Sequence, residues 1–100
     1  MSSPDELAPI PDSARPKLDR RVRLRFDRAR GRHMLLYPER GMALNPSAAA
    51  IAELCSGEYS LAEIVERLHA ANSGASRSQI EHDVRSFLRA LQERALLRFI

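Results

Sequence analysis

The side chains that could support catalysis or metal binding are few and lie far apart in this sequence. The three histidines, His33, His69 and His82, have no second histidine or cysteine at the spacing of a metal site. Cys55 is the only cysteine, so the chain can form neither an internal disulfide nor a cysteine cluster. The four glycines are scattered and do not form a phosphate-binding loop. The sequence therefore predicts no metal site.

The remaining nucleophile and the closest acid pair also lack the context of an active site. Cys55 falls on the apolar stripe of a predicted helix, where a thiol with no adjacent base or cation is expected to be buried and inert. Glu81 and Asp83 are two positions apart on another predicted helix, so their carboxylates point in different directions. We therefore expect a binding module, not an enzyme, with no cofactor of its own.

Arginines are the other chemical feature, and they are concentrated in one stretch. The 100-residue chain is 44% hydrophobic and carries a net charge of +3. Residues 15–40 contain ten Lys or Arg against three acids, whereas residues 1–14 contain three acids and no base. Such a block is typical of a protein with an anionic partner, either nucleic acid or an acidic peptide, or of a solvated charged face.

The length leaves room for one domain. Residues 1–15 are acidic and interrupted by proline, and they predict a disordered tail before a single domain at 16–100. This amino-terminal segment lacks the apolar core of a signal peptide, and no apolar run approaches the roughly 20 residues that span a bilayer. We expect a cytoplasmic protein without membrane contact.

The first half of the domain has the period of β-strands. Apolar Val22, Leu24 and Phe26 alternate with arginines, which is typical of a half-buried strand. Two further strands are predicted at 33–37 and 42–44, separated by turns that contain Gly31 and Pro38. Short consecutive strands with tight turns predict a three-stranded antiparallel sheet with one apolar and one arginine-rich face.

The second half has helical periodicity and three helix starts. Asn45 with Pro46 predicts a capped helix that ends near Gly57. Capping boxes that begin at Ser60 and Ser76 predict a second helix and a long third helix, which extends to about Arg94. The predicted fold class is α+β, a three-stranded sheet followed by three helices in a winged-helix-like arrangement. The apolar residues 96–100 are expected to pack back onto the core.

A winged-helix fold raises nucleic-acid binding as an alternative function, and a small regulatory domain as another. Two observations argue against DNA or RNA as the partner. Only about six residues follow the last helix, so no wing hairpin can follow it. Glu81, Asp83 and Glu93 on that helix would repel phosphates. An exposed strand edge at 42–44 favours instead an extended peptide that adds to the sheet.

Several segments together resemble the PqqD family of pyrroloquinoline quinone biosynthesis. They are RVRLRFDRARGR at 21–32, LLYPE at 35–39, LN at 44–45, AIAELCSG at 50–57 and IEHDV at 80–84, with leucines at 88, 91, 96 and 97. The resemblance covers about residues 16–97, and the combination of the Arg-Gly-Arg turn with LLYPE is its specific part. Two departures are Ser56, where the family commonly has Asp, and Ala95, where it often has Gly.

The resemblance implies a non-catalytic peptide chaperone with the fold of the recognition elements of ribosomally made, modified peptides. Its expected partners are the precursor peptide PqqA and the radical S-adenosylmethionine enzyme PqqE, which cross-links a Glu and a Tyr of the peptide. The iron–sulfur cluster and S-adenosylmethionine would belong to that enzyme, because one cysteine cannot hold such a cluster.

The resemblance also implies a position for the peptide, beside the third strand of the sheet and against the third helix. Met42, Ala43 and Leu44 would pair with the peptide main chain. The groove would be lined by Val84, Phe87, Leu88 and Leu91, with Arg85 as a rim contact for an acidic peptide. The helical stripe has two edges, so each of these groove residues could instead face the core of the domain.

Overall fold

The computed structural model of the protein describes residues 9–72 and 74–100, so residues 1–8 of the predicted tail lie outside the described residues. The elements in chain order are β1 (Pro16–Leu18), β2 (Arg23–Asp27), β3 (Arg32–Tyr37), β4 (Arg40–Leu44), α1 (Pro46–Glu53), α2 (Leu61–Ala71), α3 (Arg77–Glu93) and β5 (Leu97–Phe99). The predicted α+β class, with three strands followed by three helices, is confirmed.

Strands β2, β3 and β4 form an antiparallel sheet in that order, with β3 in the centre. The register places Leu24, Leu35 and Met42 side by side on one face. Leu35 is completely buried there, because this inner face packs against α1 and α3. Phe26 differs from the expectation for its apolar face: it is 54% exposed and lies edge-on to His33 at the margin of the sheet.

Side-chain caps fix the starts of the helices. The Asn45 side chain accepts a hydrogen bond of 2.7 Å from the Ala48 N–H at the start of α1. Ser60 and Glu63 form the complete capping box predicted for α2. At α3 only half of the predicted box is present: Ser76 accepts from the Gln79 N–H, whereas the Gln79 side chain donates to Asp83.

Helix α1 is shorter than predicted, because it ends at Glu53 and not near Gly57. Gly57 has a φ of 86° and its N–H donates to the Pro16 carbonyl, so it belongs to a turn beside β1. A Cβ at this position would lie 3.1 Å from Ile100 Cγ1 and 3.3 Å from Lys17 Cδ. The glycine is therefore required by both its backbone conformation and its surroundings.

Strands β1 and β5 form a separate two-stranded antiparallel ribbon, which the sequence did not predict. Pro16 pairs with Phe99 and Leu18 with Leu97, so residues near the two ends of the described chain run side by side. The expected return of residues 96–100 to the core is confirmed for Leu96, which is buried, whereas Ile100 is 63% exposed.

Residues 9–15 are packed against the domain, although the sequence assigned them to a disordered tail. Ile10 is buried in the core, and the carbonyl of Ala14 accepts a hydrogen bond from the Leu61 N–H. The carbonyl of Asp12 accepts from the Ala62 N–H in the same way. These bonds satisfy free N–H groups of the first turn of α2, which gives the segment a structural role. We call residues 9–15 the amino-terminal strap.

The core consists of two clusters of buried apolar side chains. The first joins the three helices to the strap and contains Ile10, Ile51, Cys55, Leu61, Ile64, Val65, Ile80, Val84 and Leu88. The second joins the sheet to α1 and α3 and contains Val22, Leu35, Leu44, Ala49, Ala52, Leu91 and Leu96. Helices α1 and α3 both contribute to the two clusters, so these two helices join the sheet to the rest of the domain.

Candidate peptide-binding site

Strand β4 has an open edge, because it pairs with β3 on one side and with no described strand on the other. A two-residue turn joins the two strands and is closed by the pair Tyr37–Arg40. Bonded and non-bonded pairs alternate along an antiparallel ladder, and the pair that closes such a turn is bonded. We therefore expect Gly41 and Ala43 to direct their N–H and C=O groups to the open side. Met42 and Leu44 then bond to β3, so of the three residues expected to pair with the peptide main chain only Ala43 faces the open side.

A hollow of about 390 Å³ opens where β4 ends, between α1 and α3. Phe87 is half-buried at its α3 side, and Ala48 and Ile51 supply apolar surface from α1. The other lining residues are polar: Asn45, Ser47, His82, Asp83 and Ser86. An edge that offers main-chain groups next to a partly apolar groove is the arrangement that receives an extended peptide.

A second hollow, of about 380 Å³, continues along the same side of α1 toward the end of α2. It shares Ser47, Ile51 and Asp83 with the first hollow. Its other lining residues are mostly apolar: Pro46, Ala50, Leu68, Ala71, Asn72, Ala75, Ile80 and Val84. The two hollows together make an extended depression, which suits a chain segment better than a compact small molecule.

The eight predicted site residues fall into three groups in the structure. Three of the four residues expected to line the groove, Val84, Leu88 and Leu91, have 0% exposure and belong to the core clusters. For these three residues the alternative stated above therefore holds: they face the core of the domain and do not line the groove. Val84 still borders the second hollow from below. Leu88 and Leu91 support the groove only from within.

Arg85 lies on the other flank of α3 and is engaged by the strap. Its guanidinium donates a 2.7 Å hydrogen bond to the Ile10 carbonyl and also bonds the Asp12 carboxylate. A further hydrogen bond of 3.1 Å reaches Glu81 on its own helix. The groove flank carries His82 and Asp83 instead, so the structure does not place Arg85 among the residues around the hollow.

The structure brings the remaining four predicted residues toward one region. Met42 and Phe87 are both half-buried and pack against the second core cluster, one from β4 and the other from α3. Ala43 is exposed on the open strand, and Leu44 is buried at its end. Of these four residues only Phe87 lines the groove, and Leu44 directly precedes Asn45, which lines it from the end of β4.

Sequence reasoning missed the polar part of the groove. His82, Asp83 and Ser86 have the appearance of a solvated helix face, because no apolar residue among them marks a site. The available signal was Phe87 together with helix spacing, since positions three and four residues apart share a face. Residue 83 lies four positions before Phe87, and residue 86 lies three positions after 83 and four after 82. This spacing links the four residues that line the groove from α3.

Other reactive groups lie away from this region. Cys55 is buried as predicted, its thiol donates to the Ile51 carbonyl at 3.3 Å, and burial raises the pKa of the thiol to about 12. Within residues 9–72 and 74–100, no group of three His, Cys, Asp or Glu residues is close enough to hold a metal ion. None of the helices in this part of the chain is long and apolar enough to cross a membrane.

Comparisons with known proteins identify the family to which the chain belongs. Residues 32–97 match the family model of coenzyme PQQ synthesis protein D, PqqD. A PqqA binding protein of Rhodopseudomonas palustris is 38% identical over 88 residues, which cover 88% of this chain and 85% of that protein. Of the solved structures, the solution structure of the PqqD part of Methylobacterium extorquens PqqCD has a TM-score of 0.76 and 33% identity.

That solution structure covers 95% of this chain and 97% of its own, and it is described as a functional, stand-alone recognition element for ribosomally synthesised, modified peptides. A second similar structure is TbiB1 in complex with the TbiA(beta) leader peptide, with a TM-score of 0.67 and 26% identity. It covers 82% of this chain and 94% of that chain. The family match and the similarity over most of the chain together show that this protein belongs to the PqqD family.

Proposed function

We propose that the protein binds the precursor peptide PqqA and presents it to the radical S-adenosylmethionine enzyme PqqE. The observation that carries the proposal is the open edge of β4 beside the groove of α3, in a chain of the PqqD family. The relatives named PqqA binding protein and the leader-peptide complex of TbiB1 support the same class of ligand.

The peptide would add to the sheet as a fourth strand next to β4. Main-chain hydrogen bonds to Gly41 and Ala43 would supply affinity that depends little on peptide sequence. Selectivity would come from side chains on alternate positions of the peptide, which enter the groove beside Phe87. Asp83 gives this groove an acidic group, so a basic or neutral peptide side chain fits there better than an acidic one.

The protein itself would perform no chemistry, and its place of action would be the cytoplasm. Its only thiol is buried with a pKa of about 12, so it is a poor nucleophile at neutral pH. The iron–sulfur cluster and S-adenosylmethionine would be supplied by PqqE. The contribution of this chain would be to hold the peptide extended and to lower the entropic cost of placing it in the enzyme.

Titration of the isotope-labelled protein with PqqA tests the proposal. We expect the amide resonances of Gly41, Ala43 and the groove side of α3 to shift, while those of the β1–β5 ribbon stay in place. Shifts confined to residues 21–32 would contradict the proposed position. A protein that does not bind PqqA but shifts duplex DNA in a salt-dependent manner would support the nucleic-acid alternative.

A proline substitution tests the strand addition directly. Ala43→Pro removes one outward N–H and leaves the bonds to β3 intact, because proline is tolerated on an edge strand whose N–H faces solvent. We expect this variant to fold and to bind PqqA at least tenfold more weakly, because a tenfold loss of affinity is roughly the free energy that one main-chain hydrogen bond contributes. Met42→Pro is the matched control, since it removes a bond to β3 and is expected to destabilise the sheet.

Filling the groove tests the side-chain contacts. Ser86 is exposed on the groove side of α3, so Ser86→Trp should occupy the hollow without disturbing the core. Ser78→Trp places the same side chain at an exposed position of α3 outside the hollow. We expect only the first variant to lose PqqA affinity. Equal affinity of both variants would place the peptide elsewhere.

A further inference from the structure

The face of the sheet opposite Leu35 is not covered by any described helix. Strand register determines its members, because Arg23 pairs with Leu36, Arg25 with Met34 and Met34 with Ala43. Side chains of paired residues point to the same side of a sheet. We call this surface the outer sheet face. It consists of Arg23, Arg25, Asp27, Arg32, Met34, Leu36, Gly41 and Ala43.

The centre of the outer sheet face is apolar. Leu36 is 41% exposed, and Met34 is half-buried beside it. Both lean over Gly41: a Cβ at that position would lie 3.3 Å from Leu36 Cδ2 and 3.4 Å from Met34 Cε. The glycine thus lets two long side chains lie flat across β4, and Ala43 extends this apolar surface to the open edge.

One border of this apolar surface is cationic. Arg23 and Arg25 project from β2, and both are exposed. Within the described residues no carboxylate pairs with either of them, and Arg23 Nη1 donates to the Arg20 carbonyl. The acid on this face, Asp27, is paired with Arg30 at 3.7 Å. The border therefore keeps an excess of positive charge.

We propose that the outer sheet face docks the enzyme that modifies the bound peptide, through an apolar surface of that enzyme bordered by carboxylates. The inference rests on the proposed function. An apolar centre with a charged border is the usual anatomy of a protein interface, and complementary charge accelerates association. The same face of a second copy would offer the arginines only Asp27, which is already paired with Arg30, and nucleic acid would gain little from Leu36 and Met34.

The position of this face relative to the bound peptide supports the same occupant. A peptide strand next to β4 would extend the sheet, and every second side chain of the peptide would point to the outer side, level with Ala43. An enzyme on the outer sheet face would therefore contact those side chains directly. The other half of the peptide side chains would be held in the groove. One bound strand would thus serve recognition on one side and modification on the other.

Two measurements on the same variants test this inference. The variants are Arg23→Glu with Arg25→Glu, and separately Leu36→Asp, with Arg98→Glu as a charge control on β5. Affinity for labelled PqqA is measured by fluorescence anisotropy, and affinity of the peptide-loaded protein for PqqE by calorimetry at several salt concentrations. Circular dichroism verifies that each variant is folded.

We expect all variants to bind PqqA within about twofold of the original protein. The two outer-face variants should bind PqqE at least tenfold more weakly, and the arginine variant should lose most of the salt dependence. Arg98→Glu should bind PqqE normally. Undiminished PqqE binding by the outer-face variants would overturn the inference while leaving the proposed function in place.

Failure of the original protein to bind PqqA would instead contradict the proposed function. Three other results would assign the outer sheet face to a different occupant and overturn the inference. They are loss, in the same variants, of binding to duplex DNA, of binding to vesicles that contain anionic lipid, or of self-association in sedimentation, with PqqE binding unchanged.

Discussion

The carbonyl oxygen of Ile10 accepts a 2.7 Å hydrogen bond from Nη1 of Arg85, although the two residues are 75 positions apart. The same guanidinium bonds the carboxylates of Asp12 and Glu81. Arg85 therefore holds the amino-terminal strap against α3, and the buried side chain of Ile10 closes one end of the helical core. This contact turns a segment with no secondary structure into part of the domain.

We expect Arg85→Ala to loosen the strap. The variant loses a partly buried charge-assisted bond to a carbonyl, and its ion pairs are largely exposed, so we expect a loss of about 1–2 kcal/mol. Hydrogen exchange should accelerate at Leu61 and Ala62, whose N–H groups donate to the strap. PqqA affinity should not change, because Arg85 lies away from the groove. A loss of affinity in the folded variant would return Arg85 to the peptide site.

Ala95 is a position where a substitution should stabilise the protein. Its φ is 58°, a left-handed conformation that costs an ordinary residue roughly 1–2 kcal/mol and glycine nothing. Glycine also makes the unfolded chain more flexible, so we expect Ala95→Gly to gain about 0.5–1 kcal/mol. The thermal midpoint should rise by several degrees. Ala90→Gly, within α3, is the control and should lower the midpoint.

Gly57 is the reverse case. Gly57→Ala would place a methyl group in a left-handed conformation and crowd Ile100 and Lys17. We expect a loss of about 2 kcal/mol or slightly more from the backbone strain and the displaced contacts. Denaturant unfolding measures this difference. An unchanged midpoint would mean that the turn after α1 can adopt another conformation.

The capping box of α2 predicts a pH dependence. The Ser60 N–H and hydroxyl hold the pKa of Glu63 below its ordinary value of 4.5. A carboxylate whose folded pKa is lowered contributes stability that is complete above the unfolded pKa and is lost as the pH falls through the folded one. Glu63→Gln should therefore reduce stability at pH 7, and its difference from the original protein should shrink as the pH is lowered below 4.5, as measured by thermal unfolding at each pH.

Cys55 should be chemically silent in the folded protein. Its thiol is buried, donates to the Ile51 carbonyl and has a pKa of about 12, so little thiolate forms at pH 8. We expect a disulfide reagent to react only as fast as the protein unfolds. Ser47→Cys in a Cys55→Ala background supplies an exposed thiol for comparison and should react at once.

The sequence predicts the elements whose signals are local. Alternation around Leu24 and Leu35 is enough for the sheet, because a shift of one residue would expose those side chains. The side chains of Asn45 and Ser60 mark helix starts for an equally local reason. The β1–β5 ribbon escapes prediction, since two three-residue strands 81 positions apart carry no recognisable period. The burial of Ile10 is not predicted either, because a single apolar residue between two prolines forms no periodic pattern.

In the candidate site, too, the features with a local signal can be predicted and those that depend on distant contacts cannot. The open edge of β4 follows from strand order, which short turns determine. Which flank of α3 faces the groove does not follow, because Val84, Leu88 and Leu91 form one stripe and both flanks adjoin it. The decision depends on Arg85, which pairs with residues of the strap. Helix spacing relates only residues three or four positions apart, so it cannot predict contacts between residues this distant in sequence.

The β1–β5 ribbon has a consequence for how this domain can be connected to other chains. The Ile100 N–H donates to the Arg15 carbonyl, so residue 100 lies beside the segment where the strap leads into β1. A partner domain can therefore be joined after Ile100, which is 63% exposed, without removing the strap from the fold. The β4 edge and the groove take no part in that junction. An enzyme fused to the recognition unit at the ribbon would thus leave the binding surfaces free.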